Sequence, residues 1–314
     1  MGQQPYHLSP EEIASFDENG YLILRQRIPA PMLQRLRAAT ARLIATGKAA
    51  DELPEDYQVR DEAMFRIDYL HEKGEAATLE LLGSPAVLGI AESLSGPNVV
   101  PTYETLVFKD EGDGAAIEWH QDAVHPRQHR IYNIDVYLDA SRKGAGALRV
   151  VPGSQRGRVD ICELRDGYGW MPPESFEVEL EPGDVLIHDV MIVHGSEPTE
   201  GKALRRTIYF EFRAAEQILT EGPWDRAWVD QRLSFLPLAL AEHARANPDA
   251  LQFDWQATPE LRPDIDPDSE LRILHLKHTG GSYCSAGSVP LPKAKDEGNA
   301  TSSPAMADAT SDPA

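Results

Sequence analysis

Cysteine is scarce in this chain, and long apolar runs are missing. The 314 residues include only Cys162 and Cys284, which lie far apart and form no CxxC pair. This spacing predicts neither a disulfide framework nor a zinc-thiolate site, and it agrees with a reducing compartment. No run approaches the ~20 apolar residues that span a bilayer, and the N-terminus lacks a basic region followed by an apolar stretch. We therefore expect a cytoplasmic protein that is not inserted in a membrane.

A net basic charge is also absent. The formal net charge is −21 at pH 7, because the chain has 30 lysines and arginines but 51 aspartates and glutamates. A sequence-independent grip on DNA, RNA or anionic lipid needs a basic face, so we expect neither a nucleic acid nor a membrane as partner. The 41% hydrophobic content is enough to bury a full core. A small-molecule substrate is the remaining expectation, and the oligomeric state stays open.

Capping, proline and glycine signals predict helices in the first third of the chain. Ser9 and Glu12 have the spacing of a capping box. The predicted elements are a helix from Ser9 to Gly20, a strand at 21–24, a helix from Pro29 to Gly47, and a helix from Ser84 to Gly96. Residues 48–62 are polar and acidic, which predicts a surface loop.

From residue 98 onwards the pattern changes to short strand-like runs separated by Gly and Pro turns. These runs lie at 99–109, 131–138, 147–151, 176–180, 185–188 and 204–213. Since no long helices intervene, they predict an antiparallel sandwich or barrel flanked by helices. Helical character returns from Trp224 to Arg245, where Pro237 should kink or divide the helix.

The organisation predicted from these signals is one domain over residues 1–278. It consists of a helical N-terminal part (8–97), a barrel (98–213) and a C-terminal helical part (214–278). Residues 279–314 are rich in Gly, Ser, Ala, Pro and charge without apolar periodicity, so they predict a disordered tail.

One short motif has the spacing of a metal site. His120 and Asp122 are two residues apart, so on a strand their side chains point to the same face. A further histidine, His194, lies in another strand-like segment. Two imidazoles and one carboxylate on one side of a metal form the facial triad that holds non-haem Fe(II) and leaves coordination positions open. His188 is an alternative third ligand, and His194 also fits a buried position without a metal.

The motifs follow one another in a characteristic order. They are Trp119-His-Gln-Asp122, Gly144-Ala-Gly-Ala-Leu148, Val151-Pro-Gly-Ser154, Pro182-Gly-Asp-Val185, His194-Gly-Ser196 and Arg205. This order and spacing resemble the phytanoyl-CoA dioxygenase family of Fe(II)/2-oxoglutarate oxygenases, over roughly residues 8–213. The resemblance implies a mainly β fold with flanking helices around a double-stranded β-helix, also called a jelly roll or cupin-like core.

The resemblance also implies roles for individual residues. It places the catalytic metal ligands on His120, Asp122 and His194, and the contacts to 2-oxoglutarate on Arg205 and Ser196. A guanidinium suits a carboxylate because it is a planar two-pronged donor. On an ideal strand Arg206 would point away, and the alternative for Arg205 is an ion pair with Glu211 or Glu104.

The implied cofactor is Fe(II), with 2-oxoglutarate and O2 as co-substrates and ascorbate as a supporting reductant. The implied reaction is oxidation, most simply hydroxylation, of a C–H bond in a small polar or anionic metabolite, with release of succinate and CO2. Asp122 argues against halogenation, since halogenating relatives have a small residue there. Gln155 and Thr199 depart from the family pattern, and the C-terminus is no peroxisomal address. Both weaken transfer of the founding member's substrate.

A basic cluster follows the metal motif and contains His125, Arg127, His129 and Arg130. Our hypothesis is that Arg127 and Arg130 face the mouth of the active site and bind an anionic substrate, together with Asn133 from the polar face of the next strand. The alternative is a solvated loop that balances nearby acids.

Two other function classes remain open from sequence alone. One is a non-catalytic cupin-like module that binds a metal or ligand. The other is a cupin-type enzyme that uses a divalent metal without 2-oxoglutarate. The presence of three metal ligands together with Arg205 favours the oxygenase, because a barrel that only binds a ligand does not need both the metal ligands and the arginine.

Overall fold

The computed structural model describes residues 6–60, 63–109, 116–124, 127–198 and 204–263. Its α-helices are α1 (Pro10–Asn19), α2 (Ala30–Ala49), α3 (Ala76–Leu82), α4 (Pro85–Ser95), α5 (Ile161–Tyr168), α6 (Ala215–Glu221), α7 (Arg226–Leu233) and α8 (Phe235–Ala246). Its strands are β1 (Tyr21–Leu24), β2 (Tyr57–Arg60), β3 (Ala63–Asp68), β4 (Val99–Lys109), β5 (Ile117–His120), β6 (Tyr132–Tyr137), β7 (Leu148–Val151), β8 (Phe176–Glu177), β9 (Val185–Asp189), β10 (Val193–Ser196) and β11 (Arg205–Ala214).

The strands form two antiparallel sheets. The larger sheet has seven strands in the order β1-β9-β6-β11-β4-β3-β2, and the smaller has four in the order β5-β10-β7-β8. From β4 to β7 and again from β8 to β11, consecutive strands alternate between the two sheets, as in a jelly roll. The predicted fold class, a double-stranded β-helix with flanking helices, is confirmed.

The larger sheet has one apolar face and one mixed face. Ile208, Phe210 and Phe212 of β11 pack with the helices in the main hydrophobic core, as strand alternation predicts. On the opposite face, Tyr137 and Leu186 pack against the smaller sheet. The space between the sheets therefore holds the polar side chains of the larger sheet, and the helices cover its outside.

The N-terminal helix begins and ends where the sequence predicts. Ser9 Oγ accepts a hydrogen bond from the Glu12 amide at 3.1 Å, and the Glu12 carboxylate accepts one from the Ser9 amide at 2.7 Å. Gly20 ends the helix with φ +79°, a left-handed conformation that glycine adopts without strain. β1 follows directly and pairs with β9, which fixes the helix against the edge of the larger sheet.

Several local predictions are wrong. The predicted loop at 48–62 contains β2, which pairs with β3 at the sheet edge. A four-residue strand has too little periodicity to be recognised without its partner. α5 was not predicted, although Asp160 caps it by accepting from the Glu163 amide at 3.0 Å. The predicted division of the C-terminal helix is present, but it lies at Ser234, so Pro237 is in the first turn of α8, where proline is tolerated.

The expectation for the cysteines is also corrected. Cys162 is disulfide-bonded. Cys284 and the predicted tail at 279–314 lie outside the described residues, as do residues 264–278. The predicted cytoplasmic location therefore loses one of its arguments and stays a prediction, as do the domain boundaries. Among the described helices, none is long and apolar enough to cross a membrane.

Candidate metal centre and co-substrate site

The three predicted metal ligands meet at one end of the smaller sheet. His120 ends β5 and lies directly opposite His194 of the neighbouring strand β10. Asp122 follows two residues after His120, and one ligand atom from each residue lies within 4.8 Å of the others. Asp122 Oδ1 is 3.2 Å from His120 Nε2 and 3.7 Å from His194 Nε2. These three atoms are close enough to share one ion.

Backbone carbonyls select the tautomer of both histidines. Nδ1 of His120 is 2.7 Å from the Glu118 carbonyl oxygen, and Nδ1 of His194 is 3.0 Å from the Ile192 carbonyl oxygen. A carbonyl only accepts, so each Nδ1 carries the hydrogen. Nε2 then presents its lone pair towards Asp122, which is the arrangement of metal-binding histidines.

The charge states fit the same donor set. Burial, reinforced by the neighbouring His120, lowers the pKa of His194 to about 3, so this imidazole is neutral. Burial raises the pKa of Asp122, but the neighbouring His194, His120 and His188 together outweigh burial and hold this pKa well below its usual range. Two imidazoles and one ionised carboxylate are the donors of a non-haem Fe(II) site.

The second oxygen of Asp122 has its own neighbours. Asn133 Nδ2 donates to Oδ2 at 3.0 Å, and His188 Nε2 lies 3.4 Å from the same oxygen. His188 Nδ1 is 2.8 Å from Oδ2 of the buried Asp135. Burial lowers the pKa of His188, but the charges of Asp135 and Asp122 raise it to about 10. The histidine proposed as an alternative ligand thus supports the ligand carboxylate and lies outside the converging group.

A second group of polar side chains lies further along the barrel. Ser196 is on β10, two residues after His194 and on the same face; its hydroxyl is fully buried and has no hydrogen-bond partner. Arg205 of β11 donates to the carbonyl of Gly146, close to the strand that pairs with Ser196. Lys109, opposite Arg205 in register, donates to the Glu197 carbonyl at 2.9 Å. Cationic groups and a hydroxyl without a partner form a site that suits a carboxylate.

The family is decided by a comparison with known protein families. Residues 16–207 match the model of the family described as Phytanoyl-CoA dioxygenase (PhyH). This chain belongs to the phytanoyl-CoA dioxygenase family. The match covers more than half of the chain and includes every residue of the metal centre and Arg205. The predicted family and the predicted enzyme class, a dioxygenase, are confirmed.

Individual relatives agree with this membership. Dioxygenase lolE1 of Epichloe uncinata is 26% identical over 247 residues, which cover 71% of this chain and 94% of the relative. The crystal structure of AviO1 from Streptomyces viridochromogenes Tue57 superposes with a TM-score of 0.58 at 28% identity, covering 66% of this chain and 95% of AviO1.

A third relative shares the fold. EctD from S. alaskensis, solved with 2-oxoglutarate and 5-hydroxyectoine, has a TM-score of 0.58 at 21% identity, covering 69% of this chain and 80% of EctD. At this identity the comparison bears on the fold alone.

Arg205 and Arg206 of this dioxygenase point to opposite faces of β11. Arg206 points to the other face of β11, where its Nε donates to Asp139 at 2.8 Å. Glu104 pairs with Arg232, and Glu211 accepts from Arg213 at 2.8 Å. Both glutamates proposed as partners of Arg205 therefore bind other arginines. Lys109 was missed, because strand pairing is needed to place it beside Arg205.

The basic cluster lies away from the metal centre. Arg127 and Arg130 line a cleft of about 430 Å³ together with Asp17 and Asp189. Arg127 pairs with Asp189, and Arg130 forms a two-pronged pair with Asp17 at 2.6 and 2.8 Å. Asp189 follows His188 on β9, so it faces the helix side of the larger sheet, outside the barrel.

These positions bear on the predicted substrate contacts. Carboxylates of the chain already neutralise Arg127 and Arg130, so their role in binding an anionic substrate stays a prediction that the geometry does not favour. His125 lies outside the described residues. Asn133 does reach the metal centre, but it contacts the ligand Asp122. Its contact with the substrate stays a prediction.

Proposed function

We propose that this protein is an Fe(II)/2-oxoglutarate-dependent dioxygenase that hydroxylates a C–H bond of a small polar metabolite and releases succinate and CO2. Its cofactor is Fe(II), its co-substrates are 2-oxoglutarate and O2, and ascorbate supports turnover as a reductant. The observation that carries the proposal is the convergence of two Nε2 atoms and one carboxylate oxygen, next to the buried Ser196 hydroxyl that has no partner.

Each residue of the site has a role in this proposal. His120, Asp122 and His194 hold Fe(II) on one side, which leaves the opposite side open to the co-substrates. Arg205 and Ser196 bind the distal carboxylate of 2-oxoglutarate. The bound metal and 2-oxoglutarate supply the oxidising chemistry, while the barrel orients the substrate and excludes competing reactants.

A polar substrate is supported by the inner face of the larger sheet. Asn133 lies opposite Glu211 in register, and Glu211 lies opposite Tyr103 on the next strand. Glu211 and Tyr103 are only partly buried, so polar side chains on these neighbouring strands stay partly accessible. Hydrogen-bonding groups at these positions suit a metabolite with hydroxyl or amine groups.

The proposed function is tested by succinate formation. Purified protein with Fe(II), ascorbate, 2-oxoglutarate and O2 is incubated with a panel of small polar metabolites, and succinate is measured with and without each compound. We expect slow succinate release alone and stimulation by the substrate. A protein that binds the metal but releases no succinate under any of these conditions is a binding module, and one that oxidises a substrate without consuming 2-oxoglutarate belongs to the other cupin enzymes.

Replacing Arg205 by alanine tests the co-substrate site. A charge-assisted hydrogen bond contributes about 1.5–3 kcal/mol, so we expect the 2-oxoglutarate requirement to rise roughly ten- to a hundredfold. The measurement is the 2-oxoglutarate concentration that gives half-maximal succinate release. Arg206→Ala is the matched control: it loses the contacts to Asp139 on the other face and should leave this requirement unchanged. The opposite outcome for the two variants would transfer the role to Arg206.

A further inference from the structure

The two oxygens of Asp122 face different groups. Oδ1 is directed at the Nε2 atoms of His120 and His194. Oδ2 receives the amide of Asn133 at 3.0 Å and lies 3.4 Å from Nε2 of His188. Nδ2 of Asn133 also lies within hydrogen-bond distance of Nε2 of His188, at 3.1 Å, so Asn133, His188 and Oδ2 of Asp122 form one contact group. The carboxylate is thereby held in a single orientation.

The sheet fixes the two groups that hold Oδ2. His188 of β9 lies directly opposite Asn133 of β6, and Asp135 follows two residues later on the same face of β6. His188 is 1% exposed and Asp135 is fully buried, and Nδ1 of His188 is 2.8 Å from Oδ2 of Asp135. The His188 ring also packs against the ring of His194, with 4.9 Å between the centroids. Rotation of His188 would break each of these contacts.

We propose that His188, clamped by Asp135, is a positioning residue that acts with Asn133 to keep Oδ2 of Asp122 turned away from the metal. Asp122 then binds through Oδ1 alone. The inference rests on the proposed function, because 2-oxoglutarate needs two of the positions that the triad leaves open. A carboxylate that binds with both oxygens takes one of the three open positions, so the two that remain cannot accept 2-oxoglutarate and O2 together, and Oδ2 competes with the co-substrates. His188 therefore protects the binding of 2-oxoglutarate more than the binding of the metal.

This role differs from a purely structural one in what it affects. If His188 only filled space in the barrel, its replacement would lower the stability of the fold and weaken the binding of metal and 2-oxoglutarate together. If His188 controls how Asp122 binds the metal, its replacement would weaken the binding of 2-oxoglutarate and leave the metal bound. Loss of a group that supports a metal ligand typically costs 10- to 100-fold in affinity or activity. For His188 we expect the loss in affinity to concern 2-oxoglutarate.

The test uses His188→Leu and His188→Gln in the full chain. Co(II) is titrated into the metal-free proteins, and its visible spectrum gives metal affinity and coordination. 2-Oxoglutarate is then titrated into the loaded proteins. For His188→Leu we expect roughly tenfold or greater weakening of 2-oxoglutarate, a change in the Co(II) spectrum before 2-oxoglutarate is added, and metal affinity close to that of the wild type. His188→Gln should restore most of the 2-oxoglutarate affinity, because its amide donates to Oδ2.

His71→Leu is the matched control. The ring nitrogens of His71 are buried without a hydrogen-bond partner, and the ring stacks against Phe210 on the helix side of the larger sheet. It should change thermal stability without changing either titration. Wild-type 2-oxoglutarate affinity in His188→Leu overturns the inference, as does parallel loss of metal and 2-oxoglutarate that His188→Gln does not restore. Failure of the wild type to bind 2-oxoglutarate overturns the proposed function instead.

Discussion

Asp122→Ala abolishes succinate formation and leaves the fold intact. The side chain supplies the only carboxylate among the three converging ligands, and its Oδ1 lies within 3.7 Å of both imidazoles. Loss of a group that supports a metal ligand costs about 10- to 100-fold in affinity or activity, so removing the ligand itself should weaken Fe(II) binding by more than about a hundredfold. The measurements are succinate release and anaerobic Fe(II) titration, with circular dichroism as the check on folding.

Asp225→Ala is the control for this variant. Asp225 caps α7 by accepting from the Trp228 amide at 2.9 Å, on the outside of the barrel. Losing this cap should cost about 1 kcal/mol of stability and leave turnover unchanged. Succinate release by Asp122→Ala at a wild-type rate, under the same Fe(II) concentration, would contradict the assignment of the metal ligand.

Arg232→Met lowers the free energy of unfolding by about 3–5 kcal/mol, a large part of the 5–15 kcal/mol of a typical domain. Arg232 and Glu104 form an ion pair whose side chains are 1% and 0% exposed, and Arg232 Nε also donates to the Pro101 carbonyl at 2.6 Å. Removing the guanidinium leaves the Glu104 charge buried without compensation. Urea unfolding of the metal-free protein measures the change.

Two further variants separate the ion pair from general packing. The double variant Glu104→Leu, Arg232→Met removes both charges and should recover most of the lost stability. Arg245→Met breaks an exposed pair with Glu242 and should cost less than about 1 kcal/mol. Equal losses in Arg232→Met and Arg245→Met would show that burial of the pair contributes nothing.

The strands and the metal ligands could be predicted because their signals are local. Alternation along β11 placed Arg205 on one face and Ile208 on the other, and the structure has both as expected. The two-residue spacing of His120 and Asp122 likewise fixed which side chains share a face. In each case one strand contains the whole pattern.

The remaining features depend on contacts between distant segments. Arg127 pairs with Asp189, 62 residues away, and Arg130 with Asp17, 113 residues away, so the free anion site suggested by sequence is neutralised. The support of Asp122 by His188 requires the pairing of β6 with β9. The residues next to each of these positions in the sequence do not identify its partner.

The most direct test of the central claim is an anaerobic titration followed by visible absorption. Metal-free protein is loaded with one equivalent of Fe(II) and then titrated with 2-oxoglutarate. We expect a charge-transfer band of the chelated 2-oxo acid that grows to saturation in the wild type. We expect no such band in Asp122→Ala. Absence of the band in wild-type protein with Fe(II) bound and 2-oxoglutarate saturating would contradict the assignment of this site.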